Sequence, residues 1–212
     1  RADNGRVTAL GTPADVARLN LNLRTGERVL IELGCFLAGD FDALFEGTRA
    51  LPWEQFIPLN GAFPVKGHSL NSALHAIPAC QSIVKKASAK RLGEKYGVET
   101  LPESGSRYQI QFSIIKDVAT LYLDTSGEGL YKRGYRAKNM GAPLRETLAA
   151  ALVTLSRYRG KDPFCDPFCG SGTIPIEAAL IAKNRAPGLD RSFAAQKWKN
   201  MDSKLWLEAG DE

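Results

Sequence analysis

Apolar residues recur with a period that switches between two and about 3.6 along the first 40 residues, which predicts alternating strands and helices. Val7 to Leu10 is typical of a short strand, and Arg28 to Phe36 of a longer one. Between them, Thr12 and Pro13 suit the N-cap and first turn of a helix that runs to about Leu23. The first segment is therefore predicted as β-α-β.

The middle of the chain predicts two helices and a strand. Phe41 to Leu51 is a plausible helix, Phe63 to Lys66 a strand, and Pro78 to Tyr96 a longer helix. The longer helix has an apolar stripe that we expect to face a core, with lysines on the remaining arc. The stripe is formed by Cys80, Ile83, Val84 and Ala87, and the lysines are Lys85, Lys86 and Lys90.

A β-hairpin is predicted after a turn-rich stretch from Gly97 to Gly105. Four apolar residues alternate with polar ones, the period of a half-buried strand. The apolar set is Tyr108, Ile110, Phe112 and Ile114, and the polar set is Gln109, Gln111 and Ser113. Lys116 and Asp117 would form the turn, and Val118 to Asp124 the second strand.

The last segment predicts a connector, two helices and a short strand. Gly127 to Arg136 is glycine-broken, basic and aromatic, which is typical of a connector. Pro143 would begin a helix with one buried face, and Lys161 to Asp166 a short strand. A second helix would start at Thr173 or Ile174, reach about Lys183, and be ended by Pro187-Gly188. The face expected to be buried comprises Leu144, Leu148, Ala151, Leu152 and Leu155.

Composition adds a mild preference for polyanionic partners. The 212 residues carry a formal net charge of +5, with a pI near 9.0 and 44% hydrophobic residues, enough for buried cores. Without a long apolar run or a signal peptide, we expect a soluble, cytoplasmic protein with no membrane partner. The chain begins without methionine and ends in charged residues, so we expect both ends to be boundaries within a larger protein.

The cysteines and histidines predict neither a disulfide framework nor a metal site. The cysteines are scattered and include no C-x-x-C pair, and both histidines lie far upstream of the last two cysteines. They are Cys35, Cys80, Cys165 and Cys169, with His68 and His75.

Candidate chemistry is concentrated in Asp166-Pro167-Phe168-Cys169-Gly170-Ser171-Gly172-Thr173, between the predicted strand and helix. Closely spaced glycines allow a ligand to approach the backbone, and a helix N-terminus favours a carboxylate or phosphate. A dinucleotide fingerprint fails because Pro175 occupies the third glycine position, and Gly-Lys-Ser/Thr is absent. An acidic residue before the glycines suits an amino-acid-like ligand, since Asp166 could meet its ammonium.

This motif, followed by Ile-Pro-Ile-Glu-Ala-Ala, resembles the cofactor loop of class I S-adenosylmethionine-dependent methyltransferases. More narrowly, it resembles the THUMP-containing RNA methylases, which modify the exocyclic N2 amine of guanine in large-subunit ribosomal RNA. The resemblance extends to Asp124-Thr125-Ser126-Gly127, Lys132-Arg133-Gly134-Tyr135-Arg136, Ala142-Pro143-Leu144-Arg145-Glu146-Thr147-Leu148 and Ala186-Pro187-Gly188. It is weakest over Arg1 to Phe36.

The resemblance implies a fold of mixed α/β and α+β class. Residues 1–38 would end a ferredoxin-like domain, residues 39–126 would form an RNA-binding THUMP domain, and residues 127–141 a linker. Residues 142–212 would be the N-terminal part of a Rossmann-like methyltransferase domain. That part would hold only one or two strands, leaving exposed edges and an uncovered apolar helix face.

The resemblance implies S-adenosylmethionine as the cofactor and RNA as the partner, with ribosomal RNA as the family's substrate. Predicted cofactor contacts are Asp166, Pro167, Phe168, Cys169, Gly170, Ser171, Gly172, Thr173 and Glu177. Phe168 and Cys169 could instead fill the core beneath the loop, and Thr173 could cap the helix. Predicted RNA contacts are Lys66 and His68 on a glycine-containing loop, Lys85, Lys86, Lys90 and Arg91, and Lys132, Arg133 and Arg136. The alternative for the four helix cations is that they only keep a helix face solvated. The alternative for the last three cations is that they belong to a packed linker between domains.

The chain departs from the family in having no Pro-Pro pair, so the Asn/Asp-Pro-Pro-aromatic loop that holds the target amine is missing. In the family, an acidic residue at the end of the second strand also binds the cofactor ribose, and we expect it to lie beyond these residues. We therefore expect these residues alone to bind cofactor poorly and to lack activity, with the parent protein being the enzyme. A stand-alone RNA-binding protein with a vestigial cofactor loop, or a DNA adenine methyltransferase, are the alternative functions.

Overall fold

The computed structural model describes residues 2–3, 5–136 and 143–211, which form two compact units. The sheet unit comprises Leu30–Gly127 and Lys197–Asn200. The helical unit comprises Arg1–Val29, Glu128–Gln196 and Met201–Glu212. Ala142, quoted above in a family motif, and the end of the predicted linker lie outside the described residues.

The sheet unit is built on a four-stranded sheet with the order β3-β6-β5-β4. β4 is parallel to β5, and the other neighbours are antiparallel. The strands are β3 (Leu30–Leu37), β4 (Val65–Leu70), β5 (Gln109–Ile115) and β6 (Val118–Asp124). The helices are α2 (Phe41–Ala50) and α3 (Ile77–Tyr96), with a 3-10 turn at Trp53–Gln55.

One face of this sheet forms the core. β5 and β6 present alternate residues to it, and these are at most 1% exposed: Ile110, Phe112, Ile114, Ala119, Leu121 and Leu123. The predicted stripe of α3 is confirmed for Cys80, Val84 and Ala87, which are fully buried. Burial of this apolar surface is the main stabilising contribution to the unit.

The predicted strand Arg28 to Phe36 is confirmed, but it begins two residues later and ends one residue later, and it pairs with β6 from Leu30 to Leu37. The sequence pattern assigns it to the first segment, whereas its hydrogen bonds belong to the sheet unit. The middle strand begins and ends later than predicted, at Val65 and Leu70. The bounds of this strand depend on its parallel pairing with β5, which the local sequence pattern does not predict.

The predicted hairpin is confirmed, and its turn uses positive φ at Lys116 (51°) and Asp117 (62°). The Asp117 carboxylate accepts hydrogen bonds from the Ser72 hydroxyl at 2.6 Å and the Ala73 amide at 2.8 Å. These two bonds, the Ser72 bond foremost, hold the pKa of Asp117 below its usual range. The turn is thereby joined to the segment that follows β4.

This lowered pKa predicts an acid-dependent contribution to stability. Because the folded pKa of Asp117 is below the unfolded value of about 3.9, its contribution is complete above that value and is lost as the pH falls through the folded pKa. Asp117→Asn, which keeps an acceptor oxygen, should lower the urea midpoint at pH 7 but converge with the parent protein near pH 2. Equal differences at both pH values would contradict this account.

The helical unit contains a small hairpin and helices from distant parts of the chain. α1 packs on α6, and α4 packs on α5. The elements are β1 (Ala2–Asp3), β2 (Arg6–Val7), α1 (Pro13–Asn22), α4 (Glu146–Leu155), α5 (Thr173–Ala182) and α6 (Ser203–Asp211). A 3-10 turn at Ala194–Lys197 ends in the first residue of the sheet unit's second segment.

The predicted start of α1 is confirmed in detail. Thr12 Oγ1 accepts from the Asp15 amide at 3.4 Å, and Asp15 Oδ2 accepts from the Thr12 amide at 2.8 Å. This reciprocal capping box satisfies two amides that the first turn would leave unpaired. The predicted end of α5 is also confirmed, since the helix stops at Ala182, before Pro187-Gly188.

Two strand predictions in this unit were wrong or too long. The strand predicted from Val7 to Leu10 ends at Val7, and Lys161 to Asp166 forms no strand. A strand persists only where a neighbour pairs with its backbone. Among the described residues of the helical unit, β1 and β2 are the only such pair.

The predicted burial of α4 was also wrong for its leucines. Leu148, Leu152 and Leu155 are 51%, 45% and 78% exposed. The helix begins at Glu146 rather than Pro143, and its buried face is formed by Glu146, Thr147, Ala149, Ala150 and Val153. The expected uncovered apolar helix face is therefore present, while α4 packs on α5 and buries its smaller residues.

No helix within the described ranges is both long enough and apolar enough to span a bilayer.

Candidate cofactor loop and candidate RNA contacts

The predicted cofactor loop is an exposed turn that leads into α5. The Gly172 amide donates to the Cys169 carbonyl at 2.8 Å, and Gly170 and Gly172 have φ of 54° and 78°. A side chain would strain both positions, and a β-carbon at Gly170 would meet no atom within 4 Å. The turn thus leaves open space beside its backbone, next to the partly positive start of α5.

Asp166 lies half-buried at the base of this turn. Its Oδ1 accepts from the Phe168 amide at 3.1 Å, which fixes the start of the turn. Carboxylate oxygens accept several bonds, so this contact leaves acceptor capacity for a ligand cation. The arrangement fits an amino-acid-like ligand, with an acceptor for its ammonium and amides for its carboxylate.

The alternative structural roles that the sequence left open for three loop residues are excluded. Phe168 is 94% exposed and Cys169 is exposed, so neither fills a core beneath the loop. Thr173 caps nothing, since the N-cap is Gly172 and makes no side-chain cap. Pro167 and Ser171 are exposed beside them, and their role as cofactor contacts stays a prediction.

Thr173 is instead tied to the linker. Its buried hydroxyl accepts from Arg136 Nη2 at 3.1 Å and lies 3.1 Å from the Ser171 hydroxyl. Arg136 also donates to the Leu144 carbonyl at 3.2 Å and pairs with Glu146 at 3.1 Å. Arg136 thus connects the starts of α4 and α5, and its RNA contact stays a prediction.

Glu177 lies on α5 and is fully buried. Its two oxygens accept from Arg133 Nε at 3.1 Å and Nη2 at 3.3 Å, and the Tyr135 hydroxyl donates at 2.9 Å. Burial, and then the Glu177 carboxylate, raise the pKa of Tyr135. Sequence reasoning missed these internal partners, and the cofactor contact of Glu177 stays a prediction.

Arg133 also makes internal contacts that sequence reasoning missed, and its RNA contact stays a prediction. Its guanidinium is 2% exposed, and besides Glu177 it donates to the carbonyls of Leu23 at 3.2 Å, Arg24 at 2.5 Å and Leu130 at 3.4 Å. These bonds use the guanidinium N–H groups that the basic composition of the linker suggested for contact with RNA. Among the predicted linker cations, Lys132 remains half exposed (52%), paired with Glu128 at 2.7 Å.

The cations of α3 divide into two kinds. Lys85 pairs with Glu103 at 2.6 Å, and Arg91 pairs with Glu54 through two bonds of 2.6 and 3.0 Å. Their partners lie far away in sequence and were missed by sequence reasoning, which sees only helical spacing. Lys86 and Lys90 are exposed on the same helix and remain candidates for RNA contact.

Lys66 and His68 lie on strand β4, not on the loop that was predicted. Both are exposed on the sheet face opposite the core, and His68 Nε2 is 3.1 Å from the Ser113 hydroxyl. Period two places them side by side on one face. Their predicted contact with RNA remains a prediction.

Among the residues that the structure describes, no three histidine, cysteine or acidic side chains lie close enough together to hold a metal ion.

Three domain families match consecutive parts of the chain. Residues 1–30 match the RlmL ferredoxin-like domain, residues 38–124 the THUMP domain, and residues 133–209 the RMKL-like methyltransferase domain. The glycine turn and α5 lie within the third match.

Curated relatives carry methyltransferase names. YpsC of Bacillus subtilis, assigned by inference as an RNA methyltransferase, is 48% identical over 99% of the chain, which covers 55% of YpsC. Ribosomal RNA large subunit methyltransferase K/L of Psychromonas ingrahamii is 36% identical over 96% of the chain, which covers 27% of that protein. The chain thus spans about half or less of the length of these relatives.

Solved structures agree with this relationship. A Listeria monocytogenes protein, described on prediction as an N6-adenine-specific DNA methylase, is 50% identical with a TM-score of 0.91 over 95% of this chain and 53% of its own. A methyltransferase-like protein crystallised with SAH is 42% identical, with a TM-score of 0.90 over 95% of this chain and 54% of its own. The predicted fold class, with a ferredoxin-like start, a THUMP domain and a methyltransferase-like fold, is confirmed. The chain therefore carries regions similar to a ferredoxin-like domain, a THUMP domain and a methyltransferase domain, in that order.

Proposed function

We propose that the full-length protein is an S-adenosylmethionine-dependent RNA methyltransferase that acts in the cytoplasm. The observation that carries this proposal is the exposed glycine turn beside half-buried Asp166, at the start of α5. A chain that joins this turn to a THUMP domain combines a cofactor loop with an RNA-binding module. The name of the Bacillus subtilis relative and the SAH in a related crystal support the same activity.

We further propose that the substrate is large-subunit ribosomal RNA and that the methylated atom is the exocyclic N2 of a guanine. The support is the name of the Psychromonas ingrahamii relative and the family resemblance of the motif. S-adenosylmethionine supplies a methyl group that is already activated for in-line displacement. The enzyme mainly aligns the amine with it.

In this proposal, Asp166 holds the ligand's ammonium, and the amides of Gly170, Ser171 and Gly172 face its carboxylate. The exposed Phe168 ring and Pro167 would line the same site. Because the Asn/Asp-Pro-Pro-aromatic loop that would hold the target amine is absent from this sequence, these residues alone should transfer no methyl group.

The test is calorimetry of S-adenosylmethionine with the full-length protein, followed by methyl transfer to unmodified ribosomal RNA and to DNA. Cofactor binding with methylation of guanine N2 in RNA is the expected result. Methylation of adenine in DNA would favour the activity in the name of the Listeria monocytogenes relative. RNA binding without cofactor binding would instead identify a binding protein with a vestigial loop.

The exposed lysines of α3 allow a test of RNA contact. The double variant Lys86→Ala and Lys90→Ala should lower RNA affinity by roughly 5- to 10-fold at moderate salt. Each substitution removes one contact between an exposed lysine and a phosphate, and such contacts are screened by salt. Lys85→Gln should change it by less than about twofold, since Lys85 is held by Glu103. Fluorescence anisotropy with a labelled RNA measures both, and equal effects would contradict the assignment.

A further inference from the structure

A cleft of about 890 Å³ opens beside the linker, within the helical unit. Its volume is typical of sites for nucleotide-sized ligands. The cations that line it are Lys132, Arg133, Arg136, Arg145 and Arg191, against the acids Glu128, Glu146 and Asp190. Its lining includes none of residues 166–173, although Arg136 bonds Thr173, so it is a neighbouring candidate site next to the start of α5.

The cations differ in how they are held. Arg133 and Arg136 are committed to Glu177 and Glu146, as described above. Arg191 donates to the carbonyls of Glu128, Gly129 and Lys132 at 2.6–3.0 Å, which fixes the course of the linker. These three arginines therefore form the floor of the cleft.

Arg145 and Lys132 are the accessible cations. The Arg145 side chain is 64% exposed, and its acidic partner Glu27 is 3.7 Å away, which is longer than a hydrogen bond. Lys132 is 52% exposed, and its partner Glu128 is 68% exposed, so this pair is weak and easily exchanged. Both cations can turn to an incoming anion at little cost.

The Arg145 guanidinium is also oriented in advance. Its central carbon lies 5.0 Å from the centre of the Tyr131 ring. Gly129 supports that ring closely, since a β-carbon there would lie 2.5 Å from it. A guanidinium stacked on an aromatic ring loses less entropy on binding and presents its N–H edge to phosphate oxygens in the bidentate geometry that arginine favours.

We propose that Arg145 and Lys132 clamp a backbone phosphate of the RNA substrate at this cleft. The proposal rests on the proposed function for the identity of the ligand. It keeps Lys132 from the sequence prediction and adds Arg145, in place of Arg133 and Arg136, whose guanidinium groups are held by internal carboxylates. Phosphate contacts of this kind orient the RNA without reading its sequence.

The experiment measures anisotropy of a labelled single-stranded RNA with the full-length protein across a salt series, with cofactor calorimetry in parallel. Arg145→Ala and Lys132→Ala should each weaken RNA binding by roughly 3- to 10-fold and make the salt slope shallower by about 0.7. Arg145→Lys, which keeps the charge but loses the stacked fork, should be intermediate. Cofactor affinity should stay within twofold.

Arg18→Ala is the matched control, because Arg18 lies on α1 with a side chain that is 51% exposed. If Arg145→Ala and Lys132→Ala bind RNA like Arg18→Ala while the parent protein binds well, the cleft proposal is overturned and the proposed function stands. If the parent protein binds cofactor but no RNA, both fail. If the parent protein binds RNA but no cofactor, only the proposed methyltransferase activity fails. The RNA affinities of Arg145→Ala and Lys132→Ala still test the phosphate clamp.

Discussion

Replacing Arg133 with alanine should lower the free energy of unfolding of the helical unit by about 3–5 kcal/mol, because it leaves a buried carboxylate without its counter-ion. The Arg133 and Glu177 side chains are 2% and 0% exposed. Glu177→Ala should have an effect of similar size, since it strands the guanidinium. Hydrogen exchange of peptides from α5 measures this loss of stability within the helical unit.

Two further variants distinguish charge burial from general damage. Arg185→Ala breaks the surface pair with Asp190, whose side chains are 46% and 57% exposed, and should cost at most about 1 kcal/mol. Arg133→Met with Glu177→Met removes both charges, so it should recover much of the loss of either alanine variant. If Arg133→Ala lowers the free energy of unfolding no more than Arg185→Ala does, the buried Arg133–Glu177 pair is no more important for stability than an exposed pair.

Asp166→Ala in the full-length protein should weaken S-adenosylmethionine binding by roughly 10- to 100-fold. This corresponds to losing one hydrogen bond to a charged group, about 1.5–3 kcal/mol. Asp166→Asn separates two roles. Its amide oxygen can still accept from the Phe168 amide and keep the turn, while the charge that attracts an ammonium is lost. We therefore expect Asp166→Asn to bind nearly as weakly as the alanine variant.

The control for this prediction is Asp162→Ala, which removes an exposed carboxylate four residues earlier on the same approach segment. Calorimetry should give an affinity within about twofold of the parent protein, as expected for a screened surface charge. Should Asp166→Asn bind as tightly as the parent, the carboxylate would serve only the turn, and the proposed ammonium contact would be abandoned.

Sequence reasoning located the elements whose signals are local. The capping box at Thr12, the α3 stripe and the β5–β6 hairpin depend on residues within one helical turn or one strand pair. The glycine turn was recognisable for the same reason, since Asp166 to Thr173 is a continuous motif. Local patterns fail where neighbours decide the outcome, as for Lys161 to Asp166, which has strand character but no pairing strand among the described residues.

Amino-acid order by itself therefore determined the glycine turn, the helix caps and the alternation of the THUMP hairpin, because these follow from dihedral preferences and short-range periodicity. Only the tertiary structure decided which basic side chains are exposed to a ligand and which are held by internal partners. Arg133, Arg136 and Lys132 look equivalent in Lys132-Arg133-Gly134-Tyr135-Arg136, yet two are joined to Glu177 and Glu146 and one is exposed. The physical reason is that an arginine's role depends on which distant carboxylates and carbonyls fold against it, and spacing along the chain carries no record of them.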